Sequence, residues 1–116
     1  MTTETTLSPG EASVLASLLA YAPHGIASRV LAKTGGGSVT LFAFEQGQAL
    51  SEHTSPFDAL VFVLEGTLTL TIGGKPERAT AGTVTRMPAD VPHALVADER
   101  TRMLLVMLRE PQATSR

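Results

Sequence analysis

From residue 26 onward, apolar and polar residues alternate in short runs that are separated by Gly, Pro and Asp. The clearest run is "TLTLTI", in which Leu68, Leu70 and Ile72 fall on one side and three threonines on the other, as in a β-strand with one buried face. We predict strands at 26–33, 38–45, 49–54, 58–65, 67–72, 76–80, 82–87, 91–97 and 101–109. Many short strands with close turns predict an all-β sandwich or small antiparallel barrel.

Two turn signals flank the 67–72 strand. "EG" at 65–66 and "GGK" at 73–75 are short and rich in glycine. A tight turn between two strands is typical of a hairpin. The sequence therefore predicts that strands 58–65 and 67–72 form one.

The N-terminal segment has the signals of a single short helix. A serine can cap its start, a proline fits the first turn, a glutamate follows at capping-box spacing, and four apolar residues share one face. These residues are Ser8, Pro9, Glu11, Val14, Leu15, Leu18 and Leu19. We divide the chain into an N-terminal extension with this helix (1–22), a barrel (23–110) and a tail (111–116).

Two of the predicted strands are apolar on both faces. They read "ALVFVLE" near residue 60 and "MLLVML" near residue 105. A strand of an antiparallel sheet with one wet face should alternate, so the second apolar face needs a cover. We expect the N-terminal helix to cover part of it and a second copy of the chain, in a homodimer, to cover the rest. The alternative is that both strands lie inside a sandwich that the chain itself covers.

Composition excludes several classes of partner. Nine Lys and Arg stand against 11 Asp and Glu, for a net charge of −2, and no basic cluster suits a nucleic acid. No apolar stretch is long enough to span a membrane, and the polar start lacks a secretion signal, so we expect a cytoplasmic protein. There is no cysteine, so any metal must be bound by His, carboxylate or water.

Two histidines lie within spaced Gly and Pro residues. The first set is Gly47, His53 and Gly66, and the second is Gly82, Pro88 and His93. At these positions the chain resembles the cupins, over roughly residues 25 to 109, and in particular small RmlC-like cupins. The resemblance implies a double-sheet jelly roll in which His53 and His93 project into the barrel and share a ligand.

The first motif is incomplete. Ser55 stands where the family has its second histidine, and Ala59 where it has a glutamate. His53 and His93 could still hold a divalent metal (Zn, Fe, Ni or Cu) weakly, with Asp58 as an outside candidate for a third ligand. Two alternatives stay open: metal-free acid–base chemistry by the imidazoles, and histidines that serve only to satisfy hydrogen bonds in a binding barrel.

The smaller residues at 55 and 59 leave space for a small, mostly apolar molecule with one polar or acidic group. The expected pocket is lined by Ser55, Phe57, Ala59, Val61, Val63 and Met87. Three functional classes follow: a barrel that binds a small molecule, with a residual two-histidine metal site that could support an activity found among cupins, such as oxygenation, isomerisation or decarboxylation; a non-catalytic sensor or carrier; and an accessory dimer with a vestigial pocket.

Overall fold

The computed structural model describes residues 6–109 of the chain as two antiparallel β-sheets. Their strands are β1 (Ile26–Thr34), β2 (Gly37–Phe44), β3 (Ala49–His53), β4 (Asp58–Glu65), β5 (Thr67–Ile72), β6 (Lys75–Thr80), β7 (Val84–Met87), β8 (His93–Ala97) and β9 (Thr101–Leu108). One sheet has the order β1-β2-β9-β4-β7 and the other β3-β8-β5-β6. The predicted all-β class with a double-sheet architecture is confirmed, and the predicted tail at 111–116 lies outside the described residues.

The two sheets enclose one apolar core. Inward-facing residues of both sheets, among them Phe44, Val61, Leu68, Leu70 and Met103, are at most 1 % exposed and form one cluster. Alternation along each strand supplies this face, as in "TLTLTI" of β5. The core therefore joins the two sheets into one sandwich.

The predicted hairpin of β4 and β5 is wrong. Strand β4 pairs with β7 and β9, whereas β5 pairs with β6 and β8 in the other sheet. Between them Gly66 has φ +88°, and the chain crosses from one sheet to the other at this residue. A tight glycine turn fits a crossover as well as a hairpin, so the local signal could not separate the two.

The predicted N-terminal helix is also wrong, because the segment contains only a 3-10 turn at Leu15–Ser17. Apart from turn bonds such as that from the Ser17 N–H to the Val14 carbonyl, its backbone bonds to the sheet. The Leu7 N–H donates to the carbonyl of Leu31, and the carbonyls of Leu18 and Leu19 accept hydrogen bonds from two arginine side chains of the sheet. These longer-range bonds replace the helical ones that the capping residues favour.

This segment nonetheless lies over the outer face of the five-stranded sheet, as expected of the predicted helix. The two arginines that bond to it, Arg29 and Arg102, belong to β1 and β9. Between these strands, Leu41 and Ala43 of β2 are fully buried although their neighbours Phe42 and Phe44 face the core. The N-terminal segment thus covers the β1, β2 and β9 side of the outer face.

Tyr21 fastens the end of the segment. Its hydroxyl donates to Glu65 over 2.5 Å, and Arg102 donates to the same carboxylate oxygen over 2.7 Å. The guanidinium carbons of Arg100 and Arg102 lie 4.7 and 4.4 Å from the centre of the Tyr21 ring. Hydrogen bonding and cation–π attraction therefore act on the same side chain.

Burial, followed by the hydrogen bond to Glu65, raises the pKa of Tyr21 from 10.0 to about 12. A raised pKa means that the folded state holds the phenol proton more tightly, so this contribution to stability is complete below pH 10 and is lost as pH rises toward 12. We expect the free energy of unfolding in urea to fall over this range by more in the wild type than in Tyr21→Phe, which cannot ionise. Circular dichroism measures both, and equal falls would contradict the assignment.

The β4 and β7 side of the outer face is less covered. Val84 of β7 is 54 % exposed, and Leu108 at the end of β9 is 51 % exposed. Phe62 of β4 and Leu104 of β9, which continue the row from Val84, are half-buried. The homodimer therefore stays a prediction. Within residues 6–109, the structure contains no helix with the length and apolar character to cross a membrane.

If a second copy covers this face, the wild-type protein should have twice its 12.2 kDa chain mass in solution. Val84→Lys should then shift it toward the monomer, because the new charge would have to be desolvated in the interface. Val14→Lys, at a site that is 73 % exposed on the N-terminal segment, is the matched control. Light scattering at micromolar concentration measures the mass, and a monomeric wild type would rule out the dimer.

Candidate functional site

His53 and His93 lie side by side at one end of the sandwich. His53 is the last residue of β3 and His93 the first of β8, and they are directly opposite each other in the ladder. A register shift between Leu50 and His53 marks an irregularity in β3. Because of this shift, Leu50 and His53 line the same cavity although three positions separate them.

The two rings meet edge to face, with centroids 4.3 Å apart and planes at 67°. In each ring Nδ1 contacts the backbone carbonyl two residues earlier, Ser51 for His53 at 2.8 Å and Val91 for His93 at 3.1 Å. A carbonyl oxygen can only accept, so Nδ1 carries the hydrogen in both. In the neutral rings, Nε2 is then an acceptor with a free lone pair.

The cavity beside the rings is small and apolar. Its volume is about 40 Å³, and His93 is 9 % exposed whereas His53 is open to solvent. A cavity must offer roughly 10–15 Å³ of such space to hold one water molecule. The cavity therefore accommodates a small polar group, and its other walls are Leu50, Met87, Ala94, Leu95, Met103 and Leu105.

The other residues of the predicted pocket are distributed over three places. Met87 lines the histidine cavity. Ala59, Val61 and Val63 face inward from β4, but all are buried in the core, at 5 %, 0 % and 2 % exposure. They fill the space between the sheets and do not line the cavity.

Ser55 and Phe57 lie in the loop between β3 and β4. The Ser55 hydroxyl oxygen accepts the Phe57 N–H over 3.1 Å, and its carbonyl accepts the Asp90 N–H, so Ser55 stabilises the loop. Phe57 lines a second cavity.

The Asp58 carboxylate accepts hydrogen bonds from Arg86 over 2.7 Å and from the Ala89 N–H over 2.9 Å. These two bonds, that from Arg86 first, lower the pKa of Asp58. Neither Ser55 nor Asp58 lines the histidine cavity.

The second cavity is a groove at the same end of the sandwich, which we name the rim groove. It has a volume of about 360 Å³ and is formed by the β1–β2 hairpin, the end of β9 and the loop after β3. The sequence analysis did not identify it. Its lining residues are Val30, Lys33, Thr34, Gly35, Gly37, Ser38, Thr40, Phe57, Met107 and Arg109.

The residues at the site do not fit a resident metal ion. Zinc and iron sites usually draw three or more ligands from the protein. Across the described residues, no three His, Asp or Glu side chains come together. The two positions at which the cupin pattern supplies further ligands hold Ser55, whose oxygen is used in the loop, and Ala59, which has only a methyl group.

Comparisons with known proteins agree with the fold. A family model described as "Cupin domain" matches residues 40–108. A conserved protein of unknown function from Streptococcus pyogenes is 32 % identical, with a TM-score of 0.86 and coverage of 97 % of this chain and 98 % of that one. A cupin superfamily protein from Desulfitobacterium hafniense is 27 % identical, with a TM-score of 0.83 and coverage of 90 % and 95 %.

A cupin 2 conserved barrel domain protein from Leptotrichia buccalis is 34 % identical, with a TM-score of 0.78 over 81 % of this chain and 46 % of that chain. A comparison with curated proteins gives no match.

Because two imidazoles bind a divalent ion weakly, we expect purified untagged protein to carry Zn, Fe, Ni and Cu well below one ion per chain. Elemental analysis measures the metal content, and one ion per chain would contradict the expectation.

Proposed function

This chain belongs to the cupin family, and on that premise we propose that it binds a small organic molecule at the mouth of its barrel and holds a ligand hydroxyl with His53 and His93. The proposal rests on one observation, the two imidazole rings that line a small apolar cavity with Nδ1 of each already bonded to a backbone carbonyl. The remaining nitrogen of a neutral ring is an acceptor, which is complementary to a group that donates, such as a phenol, enol or alcohol.

The hydrogen bonds of the two rings support a ligand over a purely structural role for the pair. The backbone carbonyls of Ser51 and Val91 already satisfy Nδ1 of each ring, so the fold does not require the second nitrogen. Hydrogen bonds in an apolar cavity also discriminate strongly, because a ligand without the donor leaves the acceptors unpaired.

The size of the cavity decides how such a ligand lies. With about 40 Å³, the cavity accepts the hydroxyl and little else. The rest of the molecule must extend past His53, which is open to solvent, toward the end of the sandwich. A small apolar body with one hydroxyl at its tip meets both conditions.

Among the functional classes considered from the sequence, the donor set favours a ligand-binding module over a metal enzyme. A metal-dependent activity would need a third protein ligand, and residues 6–109 bring none to the histidines. Binding by the histidine pair requires no such group. A sensor or carrier uses this binding alone.

The test compares 4-ethylphenol with 4-ethylanisole, in which a methyl group replaces the donated hydrogen. We expect NMR titration to give roughly 2- to 10-fold tighter binding of the phenol, the value of one hydrogen bond. His53→Leu and His93→Leu keep bulk but remove one acceptor each, so the preference should be abolished when the two substitutions are combined. His24→Asn is the control, because His24 lies in the loop before β1 at φ 55°, which asparagine tolerates.

Amide shifts at Leu50, His53, Met87 and His93 would locate the bound phenol. The spectra of the free variants also report whether each remains folded. Equal affinities of wild-type protein for the phenol and the anisole, or a preference that survives in the double leucine variant, would refute the proposal.

A further inference from the structure

A row of inward-facing residues connects the histidine cavity with the rim groove. Lys33, Ser38, Met107, Ala59 and Met87 are paired in sequence across all five strands of the larger sheet. We name these residues the mouth row. Met87 lines the histidine cavity, whereas Lys33, Ser38 and Met107 line the rim groove.

Ala59 is the central member of this row, between the two cavities. Its neighbours across the sheet are Met87 on one side and Met107 on the other. Because adjacent strands lie about 4.8 Å apart, Met87 and Met107 are separated by about 10 Å. Ala59 is 5 % exposed, and its methyl group places no polar atom between the two cavities.

Strand β9 links the cavities in the other direction. Leu105 lines the histidine cavity and Met107 the rim groove, and residues two apart on a strand share one face. The two cavities therefore adjoin on the inner face of β9, with lining residues about 7 Å apart along the strand. We infer below that one molecule reaches both.

The rim groove is cationic although the chain carries a net charge of −2. Lys33 and Arg109 both line it, and its lining contains no carboxylate. In the part of the chain that the structure describes, neither side chain forms an ion pair; the Arg109 guanidinium carbon lies 5.2 Å from the centre of the Phe57 ring. The stacking on Phe57 orients the guanidinium beside an apolar floor.

We infer that the ligand is a hydroxy acid, with its hydroxyl at His53 and His93 and its carboxylate at Lys33 and Arg109. This inference rests on the proposed function for the hydroxyl end and adds the recognition of the anionic end. A guanidinium can bind a carboxylate through two parallel hydrogen bonds, and the lysine adds a second positive charge. Val30, Phe57 and Met107 contact the apolar body between the two ends.

The experiment adds one carboxylate to the probe used above. 3-(4-Hydroxyphenyl)propanoate is 4-ethylphenol with a terminal carboxylate, so the ratio of their affinities isolates the contribution of the charge. We expect the acid to bind more tightly to wild-type protein, and Lys33→Gln and Arg109→Gln each to reduce its affinity up to about fivefold, as for exposed ion pairs. Both variants should bind 4-ethylphenol as the wild type does.

Lys75→Gln and Arg78→Gln remove exposed cations of β6, outside the rim groove, and serve as controls. Added salt should reduce the advantage of the acid in the wild type, because these charges are exposed. The inference is overturned if the acid has no advantage over 4-ethylphenol, or if its advantage persists in the Lys33→Gln/Arg109→Gln double variant.

The two proposals fail separately. If His53→Leu and His93→Leu remove the preference for the phenol while the rim variants leave the acid unaffected, the proposed function stands and the anionic end is wrong. If the rim variants weaken the acid while the histidine variants change nothing, the carboxylate site stands and the hydroxyl site is wrong. If neither probe binds, both are wrong.

Discussion

The crossing at Gly66 is the constraint on which the sandwich depends. A Cβ at this position would overlap the carbonyl oxygen of Arg100 and the hydroxyl of Thr101, and the φ of +88° also favours glycine. The fully buried Thr101 hydroxyl accepts the Thr67 N–H and contacts the carbonyls of Thr67 and Glu99, so the backbone groups at the crossing are satisfied. This arrangement directs β4 and β5 into different sheets, and the core forms between them.

The two ends of the sandwich are consequently different. At the end with the Gly66 crossing, Thr101 and Phe44 are fully buried, and the Tyr21, Glu65 and Arg102 interactions fasten the N-terminal segment. At the other end, strands β3 and β8 bring two imidazoles together, and the β1–β2 hairpin forms one side of an open groove. Rigidity at one end and access at the other are what a binding barrel needs.

The sequence predicts the strands well because their signals are local. Alternation and turn residues identify all nine strands of the described region, with ends that differ by at most two residues from the structure. The predictions of the hairpin and the helix are wrong because contacts between residues far apart in the sequence decide both. The crossover at Gly66 packs against the start of β9. Arg29 and Arg102 donate hydrogen bonds to the carbonyls that a helix would have used.

The candidate site also combines features that the sequence predicts with features that depend on how distant strands pair. The spaced Gly and Pro residues around His53 and His93 resemble the cupin motifs, and this resemblance is enough to suggest that the histidines meet. No local signal connects Lys33 with Arg109. They line one groove only because β2 pairs with both β1 and β9, and sequence reasoning gave no register for those strands.

The alanine at position 59, where the cupin pattern has a glutamate, affects the charge beside the rim groove as well as metal binding. A glutamate there would supply a metal ligand, but it would also stand at the centre of the mouth row, between the histidines and the cations of the rim groove. Its negative charge would repel a carboxylate in the groove and would attract Lys33 or Arg109 away from it. With alanine, the positive charge in the groove stays available to an anion. Ala59 thus accounts for one of the two missing metal ligands and leaves no charge at the centre of the mouth row, and both favour recognition of an organic acid over metal chemistry.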